Sequence, residues 1–292
     1  MINYLPPIPC KSKDCSGVIF TDWHFPAHGI KATEELKQLV KSIKPNYIFN
    51  LGDVFDNKSA SRFDKDKLFY IAVKERAKTL PEVWNDGIAE HDEILQHGAK
   101  GCKNVVLFGN HDIRIIETLK PLVHLTGIEY NPFLFAWRKS KFNIDIYDNY
   151  PNNKVLLESV TGIKTEVPIL LSHDGAGTNG NHAKQTWTKY SKFLGGCSVI
   201  YGHAHDPNFW YGAFNVNAMT RDNRFALCLG ALMNRGDEYH AGYCTVVPRS
   251  EWTPTALEFK VIKNVLYLTE HRFTPEPLPF HKPKQSQLLE VY

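Results

Sequence analysis

The sequence predicts an α/β fold, and three observations predict it. Between about residues 17 and 119, short apolar runs of strand character alternate with segments whose apolar residues recur at helical spacing, the pattern of strands and covering helices. After about Tyr130 strand-like runs dominate. Five short clusters of Asp, Asn and His follow the apolar runs VIFT, YIFNL, VVLF, PILL and CSVIY. Side chains at strand ends converge on one edge of a sheet, where open α/β folds build their sites.

The elements follow in order. Residues 17–21 read as a buried strand. Lys31 to Ile43 carries Leu36, Leu39, Val40 and Ile43 at helical spacing and ends before Lys44-Pro45. Tyr47 to Leu51 is the next strand, and residues 57–65, NKSASRFDK, form a polar loop. Asp66 to Gly98 reads as helix interrupted near Thr79-Leu80-Pro81, because proline starts a helix but does not sit inside one. Val105 to Phe108 is a strand and Ile113 to Leu119 a short helix. Strands are expected at Lys154–Val160, Glu166–Leu171, Ser198–Tyr201, Phe209–Val216, Phe225–Leu229 and Tyr243–Val247, with a helix from His182 to Phe193. Leu257–Ile262 and Val265–Thr269 form a hairpin over Lys263-Asn264. With no repeat, low-complexity block or linker, residues 1–292 read as one domain: a motif core at 17–248 and an extended, Pro-rich tail at 274–292.

Composition narrows the function. An apolar share of 43% and an aromatic share of 12% supply a globular core. The net charge of +3 suits a phosphate-bearing substrate and is too small to argue for nucleic acid alone. No apolar run is long enough to span a membrane, and the N-terminal MINYLPPIPCKSKDCS lacks a signal-peptide stretch. Among the six cysteines there is no C-x-x-C pair; Cys102, Cys197, Cys228 and Cys244 read as small buried hydrophobes. Reduced thiols without an export signal place the chain in the cytoplasm, the host's if the source is viral.

The five clusters carry the chemistry. They are Asp22-Trp23-His24, Gly52-Asp53-Val54-Phe55-Asp56, Gly109-Asn110-His111-Asp112, Ser172-His173-Asp174 and Gly202-His203-Ala204-His205. Carboxylate and amide oxygens mixed with imidazole nitrogens suit divalent Mn, Fe or Zn. Seven such groups are too many for one ion and fit two that share a bridging carboxylate. Order and spacing resemble the calcineurin-like metallophosphoesterase superfamily, whose pattern reads D-x-H, G-D-x-x-D, G-N-H-D/E, a lone His after a strand, then G-H-x-H. The resemblance runs from Asp22 to His205, and the Ser59–Phe63 run is similar to loops of bacterial and phage members.

The resemblance implies a four-layer fold, a two-sheet β-sandwich flanked by helices. It implies two divalent metal ions, Mn²⁺ first, with Fe, Zn or Ni as alternatives. Asp22, His24 and His205 would hold one ion, Asn110, His173 and His203 the other, and Asp53 both. It implies hydrolysis of a phosphate ester by attack of a metal-bound hydroxide, with His111 protonating the leaving oxygen or stabilising its charge and Asp56 orienting His111. Phosphoprotein phosphatases of the superfamily carry an arginine directly after the second Asp of G-D-x-x-D; here that position is Asn57. A guanidinium is the natural clamp for phosphate, so a phosphodiester of a nucleotide or nucleic acid is favoured over a monoester. Arg62, Lys58 or Arg114 are candidates to take over the clamp, and His182, in the Gly-rich loop after His173, to approach substrate. The alternatives are a phosphomonoesterase or protein phosphatase, a nuclease subunit acting on DNA ends, and a non-catalytic scaffold of the same fold.

Two plainer readings stand beside these. Gly175–Gly180 matches G-x-G-x-x-G, but no acidic residue follows at the dinucleotide-binding distance, so its glycines serve a tight turn. Asp112 and Asp174 read as caps, and Phe133–Trp137 as core rather than a base-stacking platform.

Overall fold

The computed structural model describes residues 2–57, 79–126, 132–176, 181–190, 196–215, 221–233 and 253–275. Period-2 alternation builds its interior, because successive strand residues face opposite sides of a sheet. In β3 (Cys15–Phe20), Val18 and Phe20 face the helices while Ile19 faces the second sheet. In β4 (Tyr47–Asn50), Ile48 and Phe49 divide the same way, and in β5 (Lys103–Leu107) so do Val106 and Val105.

The first sheet has the order β6 (Ile144–Tyr147), β5, β4, β3, β13 (Thr255–Ile262), β14 (Val265–Arg272), β2 (Ile8–Lys11), β8 (Lys164–Thr165), with β1 (Ile2–Tyr4) also on β14. Strands β3 to β6 are parallel. The second sheet runs β11 (Asn208–Asn215), β12 (Arg221–Cys228), β10 (Ser198–Tyr201), β9 (Ile169–Ser172), β7 (Val155–Leu156), with β9, β10 and β12 parallel. Ile19, Phe49, Leu107, Leu171, Ile200 and Leu227 fill the space between the sheets.

Helices α1 (Ile30–Ile43), α2 (Leu80–Leu95) and α4 (Pro132–Trp137) cover the outer face of the first sheet through Leu36, Val40, Trp84, Ile88, Phe133 and Trp137. Helix α6 (His182–Tyr190) covers the outer face of the second through Ala183 and Tyr190, against Val199, Tyr201 and Cys228. The layers are helix, sheet, sheet, helix, the two-sheet sandwich expected. Pro81 sits in the first turn of α2, and Thr79 N–H donates to Glu82 Oε2 at 2.7 Å to close that end. No helix among the described residues is long and apolar enough to cross a membrane.

Several elements differ from expectation. Only Val155–Leu156 of the expected strand at 154–160 is extended; α5 (Leu157–Thr161) follows at once and ends at Gly162, φ 75°. Helix α3 (Asn110–Thr126) begins three residues earlier than expected and runs longer. Ile169–Ser172 is the strand expected from 166, while Lys164–Thr165 joins the other sheet. Strands β1, β2 and β6 were not foreseen. The expected strand at 243–247 and the tail beyond 275 lie outside the described residues.

Candidate metal centre

Every cluster sits just past the C-terminal end of a parallel strand. Asp22 and His24 follow β3, Asp53 follows β4, and Asn110 follows β5 as the first residue of α3. His173 follows β9; His203 and His205 follow β10. The chain reverses sharply there: Asp22, His24, Asp53, Asn57, His203 and His205 have φ of 51°, 54°, 49°, 45°, 70° and 60°. Left-handed backbone is costly for non-glycine residues and concentrates at functional sites. The first two loops are tied by main-chain bonds, Asp22 N–H to Gly52 O and His24 N–H to Asp53 O, both 2.9 Å. Glycine is required where loops meet. A Cβ at Gly109 would fall 2.1 Å from Asp53 Oδ1, and Gly52, at φ +115°, would place one 2.7 Å from Gly109 N.

Among the described residues the side chains form three donor clusters, of which His24, Asp56 and His111 make one and the other two meet at Asp53. Ligand atoms of Asp22, His24, Asp53 and His205 lie within 4.8 Å of one another, as do those of Asp53, His173 and His203; Asp53 belongs to both. His205 Nε2 is 3.3 Å from Asp22 Oδ1 and 3.2 Å from His24 Nε2. Two ring nitrogens that close leave room for at most one proton between them, which is the approach of ligands around a cation. His173 Nδ1–H donates to the Leu51 carbonyl at 3.1 Å, the outer partner a ligating imidazole requires. That leaves its Nε2 3.2 Å from both Asp53 Oδ2 and Asn110 Oδ1. Asp53 Oδ2 is buried between imidazole nitrogens, His173 Nε2 at 3.2 Å and His24 Nε2 at 3.7 Å, and an anionic oxygen buried this way is stabilised by a cation. The residues present therefore fit a pair of divalent ions of the kind that take mixed N and O ligands.

Burial pushes the His24 imidazole down, but hydrogen bonds to Asp22 and Asp56 and the charge of Asp53 hold it up at about 9. Burial likewise opposes His173, which Asp53 and Asp22 lift to about 9. Asp22 and Asp53 stay well below the usual carboxylate range: burial acts upward, and the histidines outweigh it. His203 goes the other way, to about 4, through burial and the neighbouring His173.

His111 faces the same pocket from α3. Its N–H donates to Asp53 Oδ1 at 2.8 Å. Its Nδ1 lies 2.8 Å from Asp56 O and 3.1 Å from Asp56 Oδ1, so this nitrogen carries a proton and Nε2 is left for a reacting group. Arg114, one helical turn on, has a guanidinium nitrogen 3.2 Å from the same Nδ1. A protonated nitrogen cannot accept from it, so Arg114 acts there as a neighbouring charge.

A sequence model of the calcineurin-like phosphoesterase family matches residues 18–231. The chain belongs to that family. No curated protein matches it. Among solved structures, Vps29 from Chaetomium thermophilum is similar at 10% identity, TM-score 0.42, over 90% of this chain and 89% of that one. The nuclease MPE of Pseudomonas putida is similar at 14% identity, TM-score 0.30, over 83% of each chain. A phosphatase of Mycoplasma pneumoniae is similar at 9% identity, TM-score 0.35, over 91% of this chain and 96% of that one.

In this member of the calcineurin-like phosphoesterase family, Asn57 fastens the second motif loop. It is buried; its Nδ2 donates to His111 O at 3.3 Å and its Oδ1 accepts from Trp84 Nε1 at 3.0 Å. Asp112 does more than cap a helix. Its fully buried carboxylate accepts N–H groups from Gly109 at 3.0 Å, Phe55 at 3.0 Å and Val54 at 3.2 Å, joining the second and third motif loops. Burial first, then the Asp53 charge, pushes Asp112 up to about 7 against those bonds. The expectation that His182 reaches substrate does not match its position. It is 0% exposed and its Nδ1 meets Tyr201 Oη at 2.7 Å, inside the layer between α6 and the second sheet. Arg62 and Lys58 lie outside the described residues. Tyr150, in the loop after β6, was missed: its ring packs edge-on against His173 at 6.0 Å, with no motif to mark it.

Proposed function

We propose that this protein is a phosphoesterase dependent on two divalent metal ions, Mn²⁺ first, that cleaves a phosphodiester of a nucleotide or nucleic acid. The observation that carries this reading is that Asp53 belongs both to the cluster with Asp22, His24 and His205 and to the cluster with His173 and His203, because an anionic carboxylate is the side chain suited to be shared by two cations. Two such ions supply, when bound, an activated water and a clamp for the phosphoryl oxygens.

The chain's residues do the rest. Asp22, His24 and His205 would hold one ion, Asn110, His173 and His203 the other, and Asp53 would serve both. Leu51 O fixes the tautomer of His173, and the ladder between the first two loops fixes Asp22 against Asp53. His111, its Nδ1 proton held by Asp56, presents Nε2 to the leaving oxygen and, as imidazolium, protonates it. Arg114 adds positive charge beside the departing group.

A diester is favoured because Asn57 stands where related phosphatases carry a clamp arginine, and both ends of its amide are engaged. A doubly charged monoester has no fixed guanidinium at that position to hold it. Residues 1–292 form one unit in this reading, since β13 pairs with β3 and β14 with β1 and β2. The test compares kcat/KM for paired aryl mono- and diesters, cyclic nucleotides, and single- and double-stranded DNA with added Mn²⁺. Faster turnover of the diester supports the reading; a strong monoester preference reverses the substrate class, and turnover of none removes the activity.

A further inference from the structure

Beside His173 stands a group of side chains that the metal-ligand set does not use. Asp174 follows His173 in the chain, and its carboxylate pairs with Lys189 of α6. Tyr190 Oη donates to the Asp174 carbonyl at 3.1 Å, which fixes the Tyr190 ring at this place. Two ammonium groups lie over that ring, Lys154 Nζ at 5.6 Å and Lys189 Nζ at 5.2 Å from its centroid. Tyr150, four residues before Lys154 in the chain, packs against the His173 ring at 6.0 Å, on the side of the metal donors.

The balance of charge is uneven. Lys189 has the Asp174 carboxylate, while Lys154 donates to the Pro151 carbonyl and forms no ion pair among the described residues. Burial pushes the Lys154 ammonium below its ordinary value against the pull of Asp174, and Lys189 pushes the same way as burial. An ammonium offers three protons, so both lysines keep donors for an anion. Lys189 is 42% exposed and Lys154 half-buried, so the pair can be reached from solvent.

We propose that Lys154 and Lys189 bind a second phosphate of the substrate, adjacent to the one held at the metal donors, so that the preferred substrate carries two neighbouring phosphates. This rests on the phosphoesterase reading and narrows it. The second phosphate has two chemical sources, the next linkage of a nucleic-acid strand or the partner of a pyrophosphate.

The experiment measures binding, independently of turnover. Calorimetry on the Mn²⁺-loaded protein compares thymidine 5′-monophosphate with thymidine 3′,5′-bisphosphate, the strand-like probe, and with thymidine 5′-diphosphate, the pyrophosphate-like probe. At least one two-phosphate probe should bind about tenfold tighter than the monophosphate, the size of one charge-assisted hydrogen bond; which one identifies the source. Lys154→Gln with Lys189→Gln should bring that ratio toward one, and Lys154→Arg with Lys189→Arg should keep it. Equal affinity for all three probes, or a ratio unchanged in the glutamine double variant, overturns the proposal. If Mn²⁺-loaded protein hydrolyses no ester, the phosphoesterase reading fails while the affinity ratio still decides on the lysines. If hydrolysis is seen with a ratio of one, the lysine proposal fails alone.

Discussion

Asp56 touches two histidines at once: its Oδ1 is 3.1 Å from His111 Nδ1 and 3.4 Å from His24 Nδ1. His24 is assigned to a metal and His111 to the leaving group, so one carboxylate orients both. His111→Ala should therefore leave metal content and folding nearly intact and lower kcat by ~10²–10⁴-fold, the contribution of a positioned general acid. The loss should shrink for nitrophenolate leaving groups, which need little protonation. Asp56→Asn should lower kcat in the same direction and also weaken metal affinity by ~10–100-fold, the cost of losing an outer-shell partner. Metal analysis and kcat on poor and good leaving groups check both; loss of a metal ion in His111→Ala removes the general-acid assignment.

Asp53 is where two of the donor clusters meet, so Asp53→Asn should lower occupancy at both sites together. An amide cannot offer an anionic oxygen to each of two ions. Elemental analysis of purified protein should give two ions per chain for wild type and fewer than one for the variant. One tightly held ion, unchanged by the substitution, contradicts a binuclear centre.

Gly109 makes the same point through backbone. A Cβ there would meet Asp53 Oδ1 at 2.1 Å, closer than any real contact. Gly109→Ala should displace the Asp53 carboxylate and cut activity by about 10²-fold, the cost of roughly 1 Å of misplacement at a reacting centre. Circular dichroism should remain close to wild type, since Gly109 sits at the helix start and outside the core clusters. Unchanged activity means the loop yields elsewhere.

Asp112→Ala should destabilise the fold as well as the site. It leaves the buried N–H groups of Val54, Phe55 and Gly109 without their acceptor, at about 1–3 kcal/mol for each group left unpaired. Asp112→Asn, which keeps one acceptor oxygen, should recover part of that. Urea unfolding of both variants decides; equal stability of the alanine variant and wild type means water replaces the carboxylate at no cost.

The strand ends and their ligands are readable in sequence because each motif marks itself with Gly, Asp, Asn or His after an apolar run. What escaped has distant partners without side-chain signatures. Asp112 looks like a cap because its partners, the N–H groups of Val54 and Phe55, lie some 57 residues back and are plain backbone. His182 reads as facing substrate because it follows a Gly-rich loop, while Tyr201, which buries it, is 19 positions away. Residues 154–160 read as strand because Val155, Leu156, Leu157 and Val160 give them apolar strand character, whereas Leu157–Thr161 fold as a helical turn. Strands β1 and β2 were obscured by Pro6, Pro7 and Pro9, and they form by pairing with distant strands, β1 and β2 with β14 and β2 also with β8.

His91 supplies a prediction about pH. It is buried among Phe20, Trp23 and Trp137, with ring centroids at 6.1, 5.9 and 5.6 Å. Neither ring nitrogen has a hydrogen-bond partner among the described residues. Burial therefore lowers its pKa from 6.5 to about 4. Below pH 6.5 the unfolded chain takes up a proton that the folded chain refuses, so stability is full above 6.5 and is lost as pH falls toward 4. The slope from this one group is about 1.4 kcal/mol per pH unit. His91→Phe keeps an aromatic ring in an aromatic cage, removes two unpaired nitrogens and has no proton to bind. Urea unfolding of wild type and variant at several pH values from 4 to 7.5 isolates the term, because the other titrating groups cancel in the difference. The variant's advantage should widen steadily as pH drops below 6.5 and stay constant above it; a difference that does not change with pH means that His91 finds a proton partner in the folded state.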